Sequence, residues 1–418
     1  MLSHAYFGNP TEKLKILGIT GTKGKSTTAY FTKYIFDEHA SAEGLPDTAI
    51  ISTIDTYDGK RTYKSKLTTP ESFDLHEILY TAADSGLQNI VMEVSSQSLK
   101  YDRVYNVSFD AAAFLNISED HIGPAEHDDF DDYFNSKLKI FGKTKIACIN
   151  LDADFSEKIL ETARKHSKKV VTFSMVNPAA DLFAYNIRKT GKNTVFTLKS
   201  AAYSGDMQLS IPGLFNVENA LAAIAIALSM DISPEIIIRG LQKAASPGRM
   251  EIYHSSDEKI LGIVDYAHNK LSFEKIFSTV KKEYPDRKII AVFGCTGNKA
   301  PGRRKDLGET AGKNADYIYI TADDPANESI SSISAEVAGF VQKYTERYEC
   351  IPDRTAAIRK AVEYVWNSDE KYIILMLGKG TELTQKVGSE YVPYAGDSYN
   401  IKKCIDEYEN AKNVVTTL

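Results

Sequence analysis

Thr20-Gly21-Thr22-Lys23-Gly24-Lys25-Ser26-Thr27 carries the residue types that bind a phosphate, and a helical pattern follows directly. Glycines let backbone amides curl round an oxyanion, and a helix N-terminus adds donors and a partial positive charge. Lys25 can reach outer phosphates and the Ser26 hydroxyl can ligate Mg2+. The spacing departs from G-x-x-x-x-G-K-[ST], because position 19 is Ile19. A purely structural strand-to-helix turn is therefore the competing reading. Glu93-Val94-Ser95-Ser96, and Asn116 with Asp120-His121 close behind, add a carboxylate and an imidazole suited to a divalent metal. Singly, Glu93 or His121 reads more readily as a helix cap or a satisfied polar residue. Their convergence points to a site.

Further along lie Asp265-Tyr266-Ala267-His268, Gly294-Cys295-Thr296-Gly297, Asp323-Asp324-Pro325 and Gly378-Lys379-Gly380. Each suits a ligand loop or a glycine-rich structural turn. Arg303-Arg304-Lys305 is either a solvated basic face or a guanidinium fork for a carboxylate.

The groups of the first half follow short apolar, β-branched runs. The runs are Leu14–Ile19, Asn89–Met92, Ala111–Leu115, Lys145–Ile149 and Val170–Phe173, alternating with helical patterns such as Thr27–Phe36 and Leu75–Ala83. Such alternation predicts an α/β fold with a mainly parallel sheet, whose ligands sit at the carboxyl ends of strands. Asn219–Met230 predicts a helix buried on most of its surface. After Ser246-Pro247-Gly248-Arg249 a second strand series runs Ile260–Val264, Lys288–Phe293, Tyr317–Ile320 and Lys371–Leu377. Two α/β domains are expected, residues 1–245 and 246–418.

The 418 residues are 43% apolar and 25% charged, the balance of a globular chain. A net charge of −6 gives no basic footprint for nucleic acid. Four widely spaced cysteines suit free thiols in a reducing cytosol. The longest apolar run, Ala220–Leu228, falls short of the roughly 20 residues that span a bilayer, and no signal-peptide stretch opens the chain. A cytoplasmic protein without membrane or nucleic-acid partners is expected.

Gly-Thr-Lys-Gly-Lys-Ser, Leu-Thr-Thr-Pro-Glu-Ser, Met-Glu-Val-Ser-Ser-Gln, Phe-Leu-Asn-Ile, Asp-His-Ile-Gly-Pro, Pro-Gly-Arg-Met-Glu, Val-Asp-Tyr-Ala-His-Asn and Thr-Ala-Asp-Asp-Pro occur in that order. The set resembles the Mur ligase family over essentially the whole chain, and within it the UDP-N-acetylmuramoyl-tripeptide synthetases. The resemblance implies a central P-loop ATPase domain followed by a Rossmann-like C-terminal domain. It implies a monomeric, ATP- and Mg2+-dependent ligase that joins an amino acid to a UDP-muramoyl peptide through an acyl phosphate.

Residue roles follow from the resemblance in the same way. Thr22, Lys23, Gly24, Lys25, Ser26 and Thr27 would hold the ATP phosphates, and Ser26, Glu93 and His121 would bind Mg2+. Lys137 falls where the family carries a lysine carbamylated by CO2, a cation turned into a carboxylate-like group. Outside the family it reads as a surface helix lysine. Asn219, Arg249, Asp265 and His268 match nucleotide-side positions, and Thr68, Thr69, Ser95 and Arg103 match positions that hold the muramoyl peptide. Arg304 would take the α-carboxylate of the incoming amino acid. The loop Asp323-Asp324-Pro325-Ala326 would take its side chain, with Gly378 and Glu382 beside it. Diaminopimelate-adding members end that loop in arginine; Ala326 and the two aspartates resemble the lysine-adding branch, as do Asp-His-Ile-Gly-Pro and Gln97.

Three departures stand out. Ser26 replaces the family's usual threonine, and Thr381 replaces the histidine of Gly-Lys-Gly-His-Glu. Tyr6-Phe7-Gly8-Asn9-Pro10 already resembles the linker into the ATPase domain. The family's N-terminal uridine-binding domain, of about 100 residues, is therefore expected to be lacking. A folylpolyglutamate-type ligase is one alternative, although Thr-Thr-Pro-Glu and Glu-Val-Ser-Ser match the muramoyl branch better. A non-catalytic nucleotide-binding relative is another, although a scaffold needs none of Lys25, Glu93, His121, Lys137 or Arg304.

Overall fold

The computed structural model describes residues 2–119, 122–123, 126–190, 193–298 and 302–416. The chain divides into two compact units, Met1–Ser246 and Pro247–Leu418. Each has its own sheet and core.

The strands of the first unit are β1 (Lys15–Thr20), β2 (Ala49–Ile51), β3 (Asp55–Tyr57), β4 (Thr62–Lys64), β5 (Asn89–Glu93), β6 (Phe109–Phe114), β7 (Thr144–Asn150), β8 (Lys169–Ser174), β9 (Leu182–Thr190), β10 (Asn193–Lys199) and β11 (Ser204–Leu209). They form one sheet in the order β11-β10-β9-β8-β7-β6-β1-β5-β2-β3-β4. From β2 to β9 neighbouring strands are parallel, and antiparallel pairs extend both edges. Parallel strands covered on both faces need near-continuous apolar sequence. Accordingly β6 is buried at every position and β1 at all but its first.

The helix Lys25–Glu43 covers one face with the alanine-rich helix Leu214–Ser229 and the helix Pro234–Lys243. Gly240 permits that approach, because a Cβ there would sit 2.6 Å from the Ile35 Cα. β1 lies between β5 and β6, so strand order reverses at its carboxyl end. Such a switch point opens a crevice where ligands bind.

The second unit is Rossmann-like. Its strands are β12 (Glu251–His254), β13 (Ile260–Asp265), β14 (Lys288–Phe293), β15 (Tyr317–Ile320), β16 (Tyr348–Cys350) and β17 (Tyr372–Leu377), ordered β12-β13-β17-β14-β15-β16. Only β12 pairs antiparallel among these. A separate hairpin joins β18 (Thr384–Val387) to β19 (Glu390–Pro393). Arg354 fixes the end of β17 from within the core. Its Nε and Nη2 donate to Asp397 at 2.8 and 2.7 Å, and Nη2 also donates to the Leu377 carbonyl at 2.9 Å. A buried guanidinium is tolerable only when paired and hydrogen-bonded in this way, so the loop after β17 starts from an anchored point. No helix among the described residues is long and apolar enough to cross a membrane.

Candidate active site

Backbone geometry shapes the loop after β1. Gly21 and Gly24 adopt φ of 151° and 88°, values that favour glycine. A Cβ on Gly24 would collide with Asn219 Oδ1, and the same oxygen accepts from Thr28 Oγ1 at 3.3 Å. Asn219 therefore backs the loop from the helix Leu214–Ser229. Asn116, just beyond β6, braces it from the other side. Its Oδ1 accepts from Lys23 N at 2.9 Å and its Nδ2 donates to Lys23 O at 3.1 Å.

Lys25 opens the following helix and folds back over the loop, its Nζ donating to Gly21 O at 2.9 Å and Thr22 O at 3.2 Å. The helix N-cap, Gly24, provides no side-chain capping bond. First-turn amides without a cap, beside a lysine and two glycines, fit an oxyanion. Ser26 and Thr27 are buried in that first turn. The hydroxyl of Ser26 and a nearby carboxylate are hard oxygen donors that fit Mg2+.

Glu93 ends β5 and is 0% exposed; in the sheet it pairs with Ile19, one residue before the loop begins. Its Oε1 accepts from Thr53 N at 2.7 Å, and the Thr53 hydroxyl lies 3.2 Å from Oε2 and 3.0 Å from Thr68 Oγ1. Thr69 Oγ1 donates to Glu93 O at 2.8 Å and accepts from Ser95 N at 3.0 Å. Ser95 caps the helix Ser96–Lys100. Arg103 Nη1 donates to Thr69 O at 3.3 Å while Nη2 pairs with Glu71 at 2.8 Å. Thr68, Thr69, Ser95 and Arg103 are thus gathered around Glu93. Thr53 went unread in the sequence, yet it follows β2, a parallel strand ending on the same edge.

Lys137 is no surface lysine: it is 1% exposed, with Nζ donating to Gly21 O at 3.0 Å and lying 4.9 Å from the Tyr133 ring centre. The helix Phe130–Leu138 delivers it beneath the phosphate loop. Asp120 and His121 lie outside the described residues.

In the second unit Asp265 ends β13, accepting from Met250 N at 2.9 Å and Ala267 N at 2.8 Å. Burial pushes its pKa up while Arg249 pulls it down. The Arg249 guanidinium stacks on the Tyr266 ring at 4.7 Å, and His268 meets the same ring edge-on at 4.8 Å. Arg249, Asp265 and His268 therefore share one corner with Tyr266.

A second corner surrounds Lys379, which lies in a stretch that reads in the sequence as either a ligand loop or a glycine turn. Lys379 is fully buried, its Nζ 2.7 Å from Asp324, 2.6 Å from Glu382 and 3.6 Å from Asp323. Burial works against its charge, but the three carboxylates hold its pKa above the usual lysine range. Burial raises the Asp323 pKa to about 6 against the pull of Lys379 and Arg354. Gly378 has φ of 107°, and a Cβ there would press on Asp323 Oδ2. Three carboxylates thus face one internal ammonium. Arg304 is likewise engaged, pairing with Glu328 at 2.7 Å and Glu336 at 2.6 Å, while its buried Nε has no partner among the described residues.

Two family models match this chain, the Mur ligase middle domain over residues 19–227 and the Mur ligase glutamate ligase domain over residues 248–380. Over 404 residues it is 39% identical to the UDP-N-acetylmuramoyl-L-alanyl-D-glutamate--L-lysine ligase of Enterococcus faecalis, covering 95% of this chain and 77% of that protein. The protein of the same name from Streptococcus sanguinis is 36% identical, with coverage of 95% and 78%. A solved UDP-N-acetylmuramoyl-L-alanyl-D-glutamate--2,6-diaminopimelate ligase superposes with a TM-score of 0.67 at 25% identity, over 95% of this chain and 79% of that one. Mycobacterium tuberculosis folylpolyglutamate synthase complexed with ADP reaches 0.71 at 16% identity over 90% of each, a likeness of fold.

Proposed function

This chain belongs to the Mur ligase family of ATP-dependent ligases, and from that premise we propose that it joins L-lysine to UDP-N-acetylmuramoyl-L-alanyl-D-glutamate in peptidoglycan precursor synthesis. One observation carries the reading. Glu93 stands, fully buried, between the phosphate loop and the Thr68, Thr69, Ser95 and Arg103 group, so phosphoryl donor and acceptor meet at one carboxylate.

The free carboxylate of the acceptor attacks the terminal phosphoryl group of ATP, breaking its phosphoanhydride bond to give an acyl phosphate and ADP. The lysine α-amine then attacks the acyl carbon, and phosphate leaves through a tetrahedral intermediate. Lys25 and the helix N-terminus behind Gly24 balance charge that builds on the phosphoryl oxygens. Thr22, Lys23, Ser26 and Thr27 seat the phosphates, and Asn219 holds their loop. Arg249, Asp265 and His268 of the second unit match the family's nucleotide-side positions. Ser26, Glu93 and His121 would hold Mg2+, which neutralises phosphate charge when bound. Thr68, Thr69, Ser95 and Arg103 orient the acceptor. Lys137, if carbamylated, would add a carboxylate-like group beside Gly21. A cytoplasmic location is part of this proposal, since it is where such substrates are made.

Arg304 takes the α-carboxylate of lysine by exchanging it for Glu328 or Glu336. Asp323, Asp324 and Glu382 keep a negative surplus over Lys379, which suits a side-chain ammonium, and Gly378 leaves room beside Asp323. Ala326 offers no cation to a distal carboxylate, whose unpaired charge is costly to desolvate. L-lysine is therefore expected over meso-diaminopimelate by at least about tenfold, equivalent to about 1.4 kcal/mol. Ala326→Arg should narrow that ratio. Both amino acids are offered together with ATP and acceptor, and the products are quantified by mass. Equal incorporation, or a preference for diaminopimelate, removes the lysine assignment and leaves ligation standing.

A further inference from the structure

One buried ring between the acceptor side and the phosphate loop has no part in the roles assigned above. His127 is fully buried, with Nδ1 3.0 Å from Asp132 Oδ2 and Nε2 2.9 Å from Ser96 Oγ. A carboxylate can only accept, so Nδ1 carries the proton, and in the neutral ring Nε2 accepts from the Ser96 hydroxyl. Lys100 steadies the far end, pairing with the same Asp132 oxygen at 2.7 Å and donating to Glu126 O at 3.2 Å. Burial lowers the His127 pKa against the pull of Asp132, with Lys100 and Lys137 adding to the fall, which favours the neutral ring.

The ring also meets Tyr133 edge-on, with centres 5.2 Å apart. Tyr133 OH lies 3.0 Å from Thr22 Oγ1, inside the phosphate loop. Thr22 is itself fixed, its hydroxyl donating to Ser118 O at 3.3 Å and accepting from Ser118 N at 3.1 Å. Two arms thus leave one imidazole. One reaches Ser96, next to Ser95 on the acceptor side. The other reaches Thr22 through Tyr133. Serine, histidine and aspartate in this order also make a hydrolase triad, but Ser96 and His127 are both buried, so an ester or amide has no approach to the Ser96 hydroxyl.

We propose that His127 is a positioning residue that ties the Ser95–Ser96 turn to the phosphate loop, setting the acceptor carboxylate in line with the phosphoryl group. The acceptor half of this proposal rests on the function assigned above; the Tyr133 half does not.

Cutting each arm alone separates its effects. Ser96→Ala should raise the KM for the acceptor by about fivefold, the worth of one hydrogen bond, and leave the Kd of a non-hydrolysable ATP analogue unchanged by calorimetry. Ser96→Thr, which keeps the hydroxyl, should restore the KM. Tyr133→Phe should weaken the analogue by about fivefold with the acceptor KM unchanged. His127→Phe, which keeps ring volume, should show both losses. If His127→Phe does not fold, the two single-arm variants decide the matter. Wild-type acceptor KM in Ser96→Ala, or equal losses of both affinities in every variant, overturns the proposal. A wild-type protein that turns over no acceptor overturns the function above, and the analogue affinity of Tyr133→Phe still decides the phosphate-loop arm.

Discussion

Lys25→Ala should lower turnover by about a hundredfold to a thousandfold, the range seen when one preorganised donor to a developing oxyanion is removed. The side chain already arches over its own loop, held by Gly21 O and Thr22 O. Its charge therefore costs no reorganisation when the phosphoryl group moves. The loop's other supports, Asn116 and Asn219, do not depend on Lys25. The variant should accordingly keep the wild-type melting temperature within a few degrees while phosphate release nearly stops. Turnover within threefold of wild type would take the phosphate site away from this loop.

Lys137→Met should also inactivate the enzyme, by at least about a hundredfold. Methionine keeps most of the buried stem, so the loss reports the nitrogen rather than a cavity. A carbamate on Nζ retains one N–H, enough to keep the bond to Gly21 O, and turns a positive charge into a negative one facing the phosphate loop. The wild-type protein depleted of CO2 should lose activity and regain it with bicarbonate. The methionine variant should not respond at any bicarbonate concentration. Labelled bicarbonate should give a carbamate carbon resonance in the wild type only. Full activity of Lys137→Met would leave Lys137 a structural residue.

The parallel strands were legible because burial on both faces demands unbroken apolar runs. β1, β5, β6, β7 and β8 each fall within two residues of a predicted strand. The antiparallel edges were not legible: β4 and β19 are exposed throughout, and most of β9 is exposed or half-buried. Such strands show no apolar period to read. The site divides in the same way. Glu93 and the phosphate loop were found because each closes a legible strand. Thr53 follows a strand of three residues, too short to register.

The burial of Lys137 depends on a carbonyl 116 residues away in the chain, which no local pattern encodes. Lys379 stood between two glycines, where a ligand loop and a structural turn read alike in the sequence. His127 stood in a polar stretch with no period at all. Its role emerged only from contacts to Ser96, Asp132 and Tyr133.

Phosphate release in a matrix of substrates tests ligation most directly. Purified protein is given ATP and Mg2+ with acceptor alone, with L-lysine alone, with both, or with neither. Release should be fast only when both are present, with one phosphate formed for each molecule of UDP-muramoyl tripeptide detected by mass. Release that ignores the acceptor and the amino acid, or nucleotide binding without product under any combination, would contradict the assignment.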